Sequence, residues 1–150
     1  MSKQDTDVVR GAFEAFGKPD FQWFTEHLAE DTLWHVPGHS SFSGDHRGQE
    51  ALLQFFLRLS RTTGGTYKQD LQEVFGGRGH AVALSVETAQ APDGTRFTER
   101  QAFMFYLEAG LIKEVRIFLE DEAAADAFFN KLAHLEKAGL TAAGVAEGGR

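Results

Sequence analysis

The side chains able to do chemistry in this chain are few, and what is missing narrows the field first. There is no cysteine, which removes disulfides, thiolate metal centres and cysteine nucleophiles. Ser60, Ser85 and Thr88 have no histidine beside them in sequence, and no Gly-x-Ser-x-Gly elbow occurs. The glycines do not form a phosphate-cradling loop. His35, His39 and His46 invite a metal reading, but His35 falls on a predicted strand and the other two in a polar loop, so no helix face sets two of them as ligands at i, i+4. No metal and no cofactor is therefore expected. A histidine that moves protons fits better, with His35 or His39 as the candidate. The alternative for His35 is an exposed or interface strand position opposite Trp34. Arg100 and the Asp121-Glu122 pair are the other ionisable groups of interest, and their use depends on the elements that hold them.

Those elements can be read from hydrophobic periodicity. Val9, Ala12, Phe13 and Phe16 recur at i, i+3, i+4, i+7, a helical stripe that ends near Gly17-Lys18-Pro19. Asp20 is placed to cap a second, short helix with Phe21, Phe24 and Leu28 on one face. Residues 33–36 read as a short strand stopped by Pro37-Gly38, followed by a polar loop over 39–48. Leu52, Phe55, Phe56 and Leu59 make a third helical stripe, closed by Thr62-Thr63-Gly64-Gly65. From Thr66 the period changes to two, which predicts four strands at about 66–75, 80–91, 95–107 and 111–119. A last helix from 122 to about 137 is expected to turn Ala124, Ala127, Phe128, Leu132 and Leu135 inward. Residues 1–138 then form one domain, and the Gly/Ala-rich stretch 139–150 is expected to be a disordered tail.

Helices followed by an antiparallel meander imply an α+β fold: a cone-shaped, curved, mostly antiparallel sheet packed on three to four helices around a pocket. A length of 150 residues, 42% of them hydrophobic and 25% charged, suits one globular domain with a sizeable core. Fourteen Phe against two Tyr and two Trp favour a thick core or an aromatic-lined cavity. The formal net charge is −7 with no Lys/Arg cluster, so nucleic acid is not an expected partner. No stretch reaches membrane-spanning length, and the first residues hold no apolar signal region, so a cytoplasmic protein with no membrane partner is expected.

Several strings, in their order and spacing, resemble a known superfamily. They are Trp34-His35-Val36-Pro37-Gly38, Gly44-Asp45-His46-Arg47-Gly48 leading into a helix, and Gly64-Gly65-Thr66 before the long strands. Asp93-Gly94, Gly110-Leu111-Ile112 and Asp121 continue the pattern. Over roughly residues 8–130 the chain resembles the nuclear transport factor two-like superfamily, in particular its SnoaL-like members, relatives of ketosteroid isomerase and polyketide cyclases. The resemblance implies the cone, a cystatin-like α+β barrel. It leaves the chemistry open, because that superfamily also holds members that only bind or dimerise.

Matched position by position, two of the superfamily's mechanisms lose their ionisable groups. The place of the ketosteroid isomerase base is Val36 and that of its acidic donor is Ala102. The Arg–Asp pair of limonene-epoxide hydrolase falls on Glu87 and Ala89, so of its triad Asp121 alone is present. The acid/base Asp of the SnoaL-type aldol cyclases matches Asp121. A carboxylate at the mouth of an apolar cavity is partly desolvated, which favours a general base. The alternative is that Asp121 only caps the following helix.

Alternation sets Val115, Ile117 and Leu119 on the face of Asp121, and Thr98, Arg100, Ala102 and Met104 on the inner face of the preceding strand. There Arg100 either holds a substrate oxygen or pairs with Glu87 or Asp121. The expected site therefore has Asp121, Arg100 and His35 as catalytic residues. Phe16, Trp34, Val36, His39, Phe56, Glu87, Met104, Val115, Ile117 and Leu119 are expected to contact the substrate. The activity expected is cofactor-independent acid/base chemistry of the isomerase, cyclase or dehydratase type on an oxygenated apolar small molecule. The alternative is a non-catalytic binding or dimerisation module. A homodimer is expected through an apolar outer sheet face that includes Val82, Leu84 and Val86, with Phe103 and Phe105 alongside if Met104 faces the pocket.

Overall fold

The structure, a computed structural model, describes residues 2–18 and 20–140. Helices α1 (Ser2–Gly17) and α2 (Phe21–His27) precede β1 (Leu28–Val36) and β2 (Gly44–Arg47); helix α3 (Gln49–Thr63) follows. The meander β3 (Lys68–Gly77), β4 (His80–Gln90), β5 (Arg96–Glu108) and β6 (Leu111–Leu119) then leads into α4 (Glu122–Lys137). The six strands form one sheet in the order β2-β1-β6-β5-β4-β3. Every neighbouring pair is antiparallel except β1 with β6, which run parallel. The turns work because the backbone allows them: Arg78 and Gly79 (φ 55 and 83) reverse β3 into β4, and Ala109 and Gly110 (φ 53 and 80) reverse β5 into β6.

Two apolar clusters hold the cone together. The larger joins α1 to the inner face of the sheet through Val9, Phe13, Trp34, Phe103, Phe105 and Val115. Edge-to-face ring pairs such as Phe13 with Phe103 (5.1 Å) and Phe16 with Phe56 (5.3 Å) run through it. The smaller cluster packs Phe128 and Leu132 of α4 on Phe42, Leu59 and Phe97. Phe55 touches both, and the space left between them is the pocket.

The structure corrects the sequence reading in four places. Strand β1 begins at Leu28 rather than at 33, with a register shift against β6 between Leu28 and Leu33. The loop expected over 39–48 contains β2, paired with β1 from Leu33↔Arg47 to Val36↔Gly44. On α4 it is Ala125, Phe128 and Leu132 that are buried, while Ala124 and Ala127 are exposed. Gly139 and Leu140, assigned to the tail, close α4 instead, Leu140 N–H donating to the Leu135 carbonyl at 2.9 Å. Residues 141–150, the rest of that expected tail, lie outside the described residues. Among the described residues no helix is long and apolar enough to cross a membrane.

Candidate functional site

The odd-numbered residues of β5 face inward. Phe97, Glu99, Gln101, Phe103, Phe105 and Leu107 are buried, whereas Arg100 is exposed on the opposite face. This reverses the expected phase for the strand. Arg100, with 74% of its side chain accessible, forms a surface ion pair with Glu120, which raises the guanidinium pKa further and holds the Glu120 carboxyl down. Met104, opposite Val82 and Arg116, also lies outside the pocket. Neither residue touches the cavity that sequence alternation had assigned to it.

The pocket encloses about 620 Å³ of space not filled by atoms, open solvent at its mouth included. Phe16, Trp34, Phe55, Phe56 and Phe103 line its aromatic side, and Val36, Pro37, Ile117, Leu119 and Phe129 its upper wall. Phe16, Trp34, Val36, Phe56, Glu87, Ile117 and Leu119 line the cavity, whereas Val115 is buried in the core cluster. The indole Nε1 of Trp34 is buried and has no hydrogen-bond partner. An unpaired buried donor costs roughly 1–3 kcal/mol.

The lining also includes a buried polar patch built from Tyr67 and residues of β3, β4 and β5. Gln101 Nε2 donates to Glu87 Oε1 (2.7 Å), and Gln69 Nε2 donates both to Gln101 Oε1 (2.8 Å) and to the Tyr67 hydroxyl (2.7 Å). The Ser85 hydroxyl donates to Gln69 Oε1, and the Tyr67 hydroxyl hydrogen-bonds Glu87. Donation thus runs from Ser85 through Gln69 and converges on Glu87, the carboxyl at which the relay ends. Glu87 is 4% exposed. Burial pushes its pKa up to about 7, against the Tyr67 hydrogen bond that lowers it and with a further rise from Glu99. Glu99 is directly across β5 from Glu87 and also buried. Its own pKa is raised by burial, partly offset by the Asp121 N–H that it accepts at 2.6 Å. Burial likewise drives the Tyr67 phenol upward, so it stays a donor.

The two remaining catalytic candidates lie elsewhere. Asp121 is exposed and caps α4, its Oδ1 accepting from Ala124 N at 3.0 Å. Strand alternation stops at Leu119, so the parity argument that turned Asp121 inward does not reach it. His35 lies next to inward-facing Trp34 on the other side of β1, held between Asp45 (Nδ1, 2.7 Å) and Glu114 (Nε2, 2.6 Å). It ties β2 to β6 through these carboxylates instead of facing the cavity.

His39 stands at the rim. Its backbone N–H donates to Asp126 Oδ1 (2.8 Å), and its ring approaches Asp126 (3.4 Å) and Glu122 (3.9 Å). Glu122 and Asp126 are themselves i, i+4 on α4, remote in sequence from the histidine that joins them. Among the described residues these three are the group whose ligand atoms lie close enough, within 4.8 Å, to hold a cation.

Tyr67, Gln69, Gln101, Glu99 and Asp126 escaped the sequence reading. The phase of β5 was available in its apolar residues, since Phe97, Phe103, Phe105 and Leu107 are all odd-numbered. Tyr67 carried a weaker signal: it is one of two tyrosines in a chain that otherwise uses phenylalanine.

Comparison with known proteins agrees with this architecture. Residues 9–115 match the SnoaL-like domain. An uncharacterized protein of Mycobacterium tuberculosis, Rv0034, is 26% identical over 125 residues, covering 83% of this chain and 95% of that protein. The structure of Bal32a, from a soil-derived mobile gene cassette, superposes with a TM-score of 0.82 at 31% identity, over 85% of this chain and 98% of that one. A protein of Jannaschia sp. CCS1 assigned as a SnoaL-like polyketide cyclase superposes with a TM-score of 0.73 at 16% identity, over 87% of this chain and 94% of that one. By a family match that spans well over half of its length, the chain belongs to the SnoaL-like family.

Proposed function

We propose that the protein is a cofactor-independent enzyme that moves a proton within an apolar, oxygenated small molecule, by isomerisation, cyclisation or dehydration, with Glu87 as the general acid/base. The observation that carries this reading is a carboxyl at the polar end of an aromatic cavity, shifted by burial to about 7, where it can both take and return a proton near neutral pH. Gln101 and Tyr67 hold the carboxylate in place as donors.

A second reading, a binding module without activity, is favoured by one observation: Asp121 is an exposed cap and not a pocket carboxylate. The two readings separate with 5-nitrobenzisoxazole, a compact apolar probe whose ring opens when a base removes its C–H proton. Wild type is expected to accelerate the opening, with a rate that rises with pH and levels above about 7. Glu87→Gln should lose on the order of a hundredfold. Asp121→Asn, which still caps the helix, should retain the rate. Equal rates for wild type and Glu87→Gln would leave the binding module standing.

A further inference from the structure

A second cavity lies among α1, α2 and α3. We infer that it is an apolar subsite for the tail of an elongated substrate whose oxygenated head reaches Glu87; the head end of this assignment rests on the acid/base reading above. At about 800 Å³ counting its mouth, this cavity is larger than the first. Phe16, Phe56, Leu59 and Tyr67 line both spaces, so a single layer of side chains separates them. Phe16 and Phe56 are half-buried, and their ring contacts are with other rings (Phe16–Phe56 5.3 Å, Phe24–Phe56 4.8 Å, Trp34–Phe56 5.5 Å). A swing of the Phe56 ring therefore breaks no hydrogen bond and joins the two spaces. Tyr67 marks the junction, with its ring bordering the second cavity and its hydroxyl in the relay that ends on Glu87.

The lining identifies the occupant. Among the described residues no charged side chain borders the second cavity, and the side-chain polar groups that line it are the hydroxyls of Ser60 and Tyr67. A phosphate or carboxylate finds no charged partner among these residues, whereas a hydrocarbon chain or fused ring meets a mainly apolar lining. The mouth is open at Leu57, 42% exposed, and at Gly65, where no atom lies within 4 Å of the position a Cβ would take. The substrate class that fits both cavities is an amphipathic molecule with one oxygenated end and a long apolar remainder.

A series of 4-alkylphenols from ethyl to nonyl, titrated by calorimetry, tests this directly. In wild type the affinity is expected to rise about fourfold per methylene along the whole series. Ser60→Trp, which fills the second cavity, should bind 4-ethylphenol as wild type does and lose the gains of the longer chains. Leu57→Trp blocks the same mouth from an exposed position and serves if Ser60→Trp does not fold. Gains that end at short chains in wild type, gains that persist in both blocked variants, or a series that does not bind would each overturn the assignment. Glu87→Gln is expected to keep the chain-length gains. A Glu87→Gln variant that opens 5-nitrobenzisoxazole as fast as wild type, yet shows those gains, would remove the acid/base role and leave the subsite standing.

Discussion

Glu87 is a carboxyl that the fold keeps under strain of solvation, and that strain has a measurable sign. In the unfolded chain its ordinary pKa is 4.5, and burial raises it to about 7 in the folded one. Between those values the folded state binds the extra proton, so stability falls as pH rises through the window and the full penalty is present above it. A shift of this size corresponds to about 3 kcal/mol. Glu87→Gln cannot ionise, and its amide oxygen still accepts from Gln101. The variant should therefore be more stable than wild type near pH ~8, by up to about 3 kcal/mol, and lose that advantage toward pH 4.5. Urea unfolding of both proteins across that range checks it, and a difference independent of pH would show that Glu87 titrates normally. The residue itself was visible in the sequence as a pocket contact. Its partners on β5 were not, because a one-residue error in the phase of that strand exchanges Glu99 and Gln101 for Arg100 and Ala102.

At the scale of elements, the mouth of the pocket depends on how the β1–β2 connection is pinned to α4. Gly38 has φ 107, in the region that favours glycine. A Cβ there would stand 2.4 Å from Asp126 Oδ1 and 2.9 Å from Ser43 Oγ. Those two atoms are the ones that hold the connection: Asp126 Oδ1 accepts the His39 N–H, and Ser43 Oγ donates to the Pro37 carbonyl (2.9 Å). Gly38→Ala should therefore cost roughly 1–3 kcal/mol and raise amide exchange first at His39 and its neighbours, ahead of the β4–β5 core. Uniform exchange across both regions would argue that the connection is not a local clasp. Pro37-Gly38 announced the end of β1 in the sequence, but β2 gave no signal. Gly44-Asp45-His46-Arg47 is polar throughout, as an edge strand exposed to solvent is free to be, and so it lacks the alternation by which strands are recognised.

At the scale of the molecule, the order of helices and strands was enough to give the cone and its cavity, since a curved sheet has an inner face that four helices do not fill. The outer face is the complementary problem. Pairing aligns Phe75, Val82 and Met104 in one row across β3, β4 and β5, and Leu84, Ala102 and Phe118 in the next across β4, β5 and β6. Phe75 is 55% exposed, Phe118 50% and Leu84 38%. The apolar outer face anticipated from Val82, Leu84 and Val86 therefore exists in the single chain, with Met104 and Phe118 in it in place of Phe103 and Phe105, which are buried inside. We propose that a second copy covers this face about a two-fold axis, because large rings left open to water in adjoining rows are costly and a self-complementary patch closes on itself without leaving another exposed. Light scattering at micromolar concentration should then give the mass of a dimer. Leu84 sits in the middle of the patch and is already partly exposed, so Leu84→Glu spares the core while setting two like charges near the axis. It should give a folded monomer with an unchanged circular dichroism spectrum. A wild-type protein that runs as a monomer would rule the arrangement out, and a Leu84→Glu variant that stays dimeric would move the interface to another surface, since a desolvated pair of glutamates at the centre of this one could not be held.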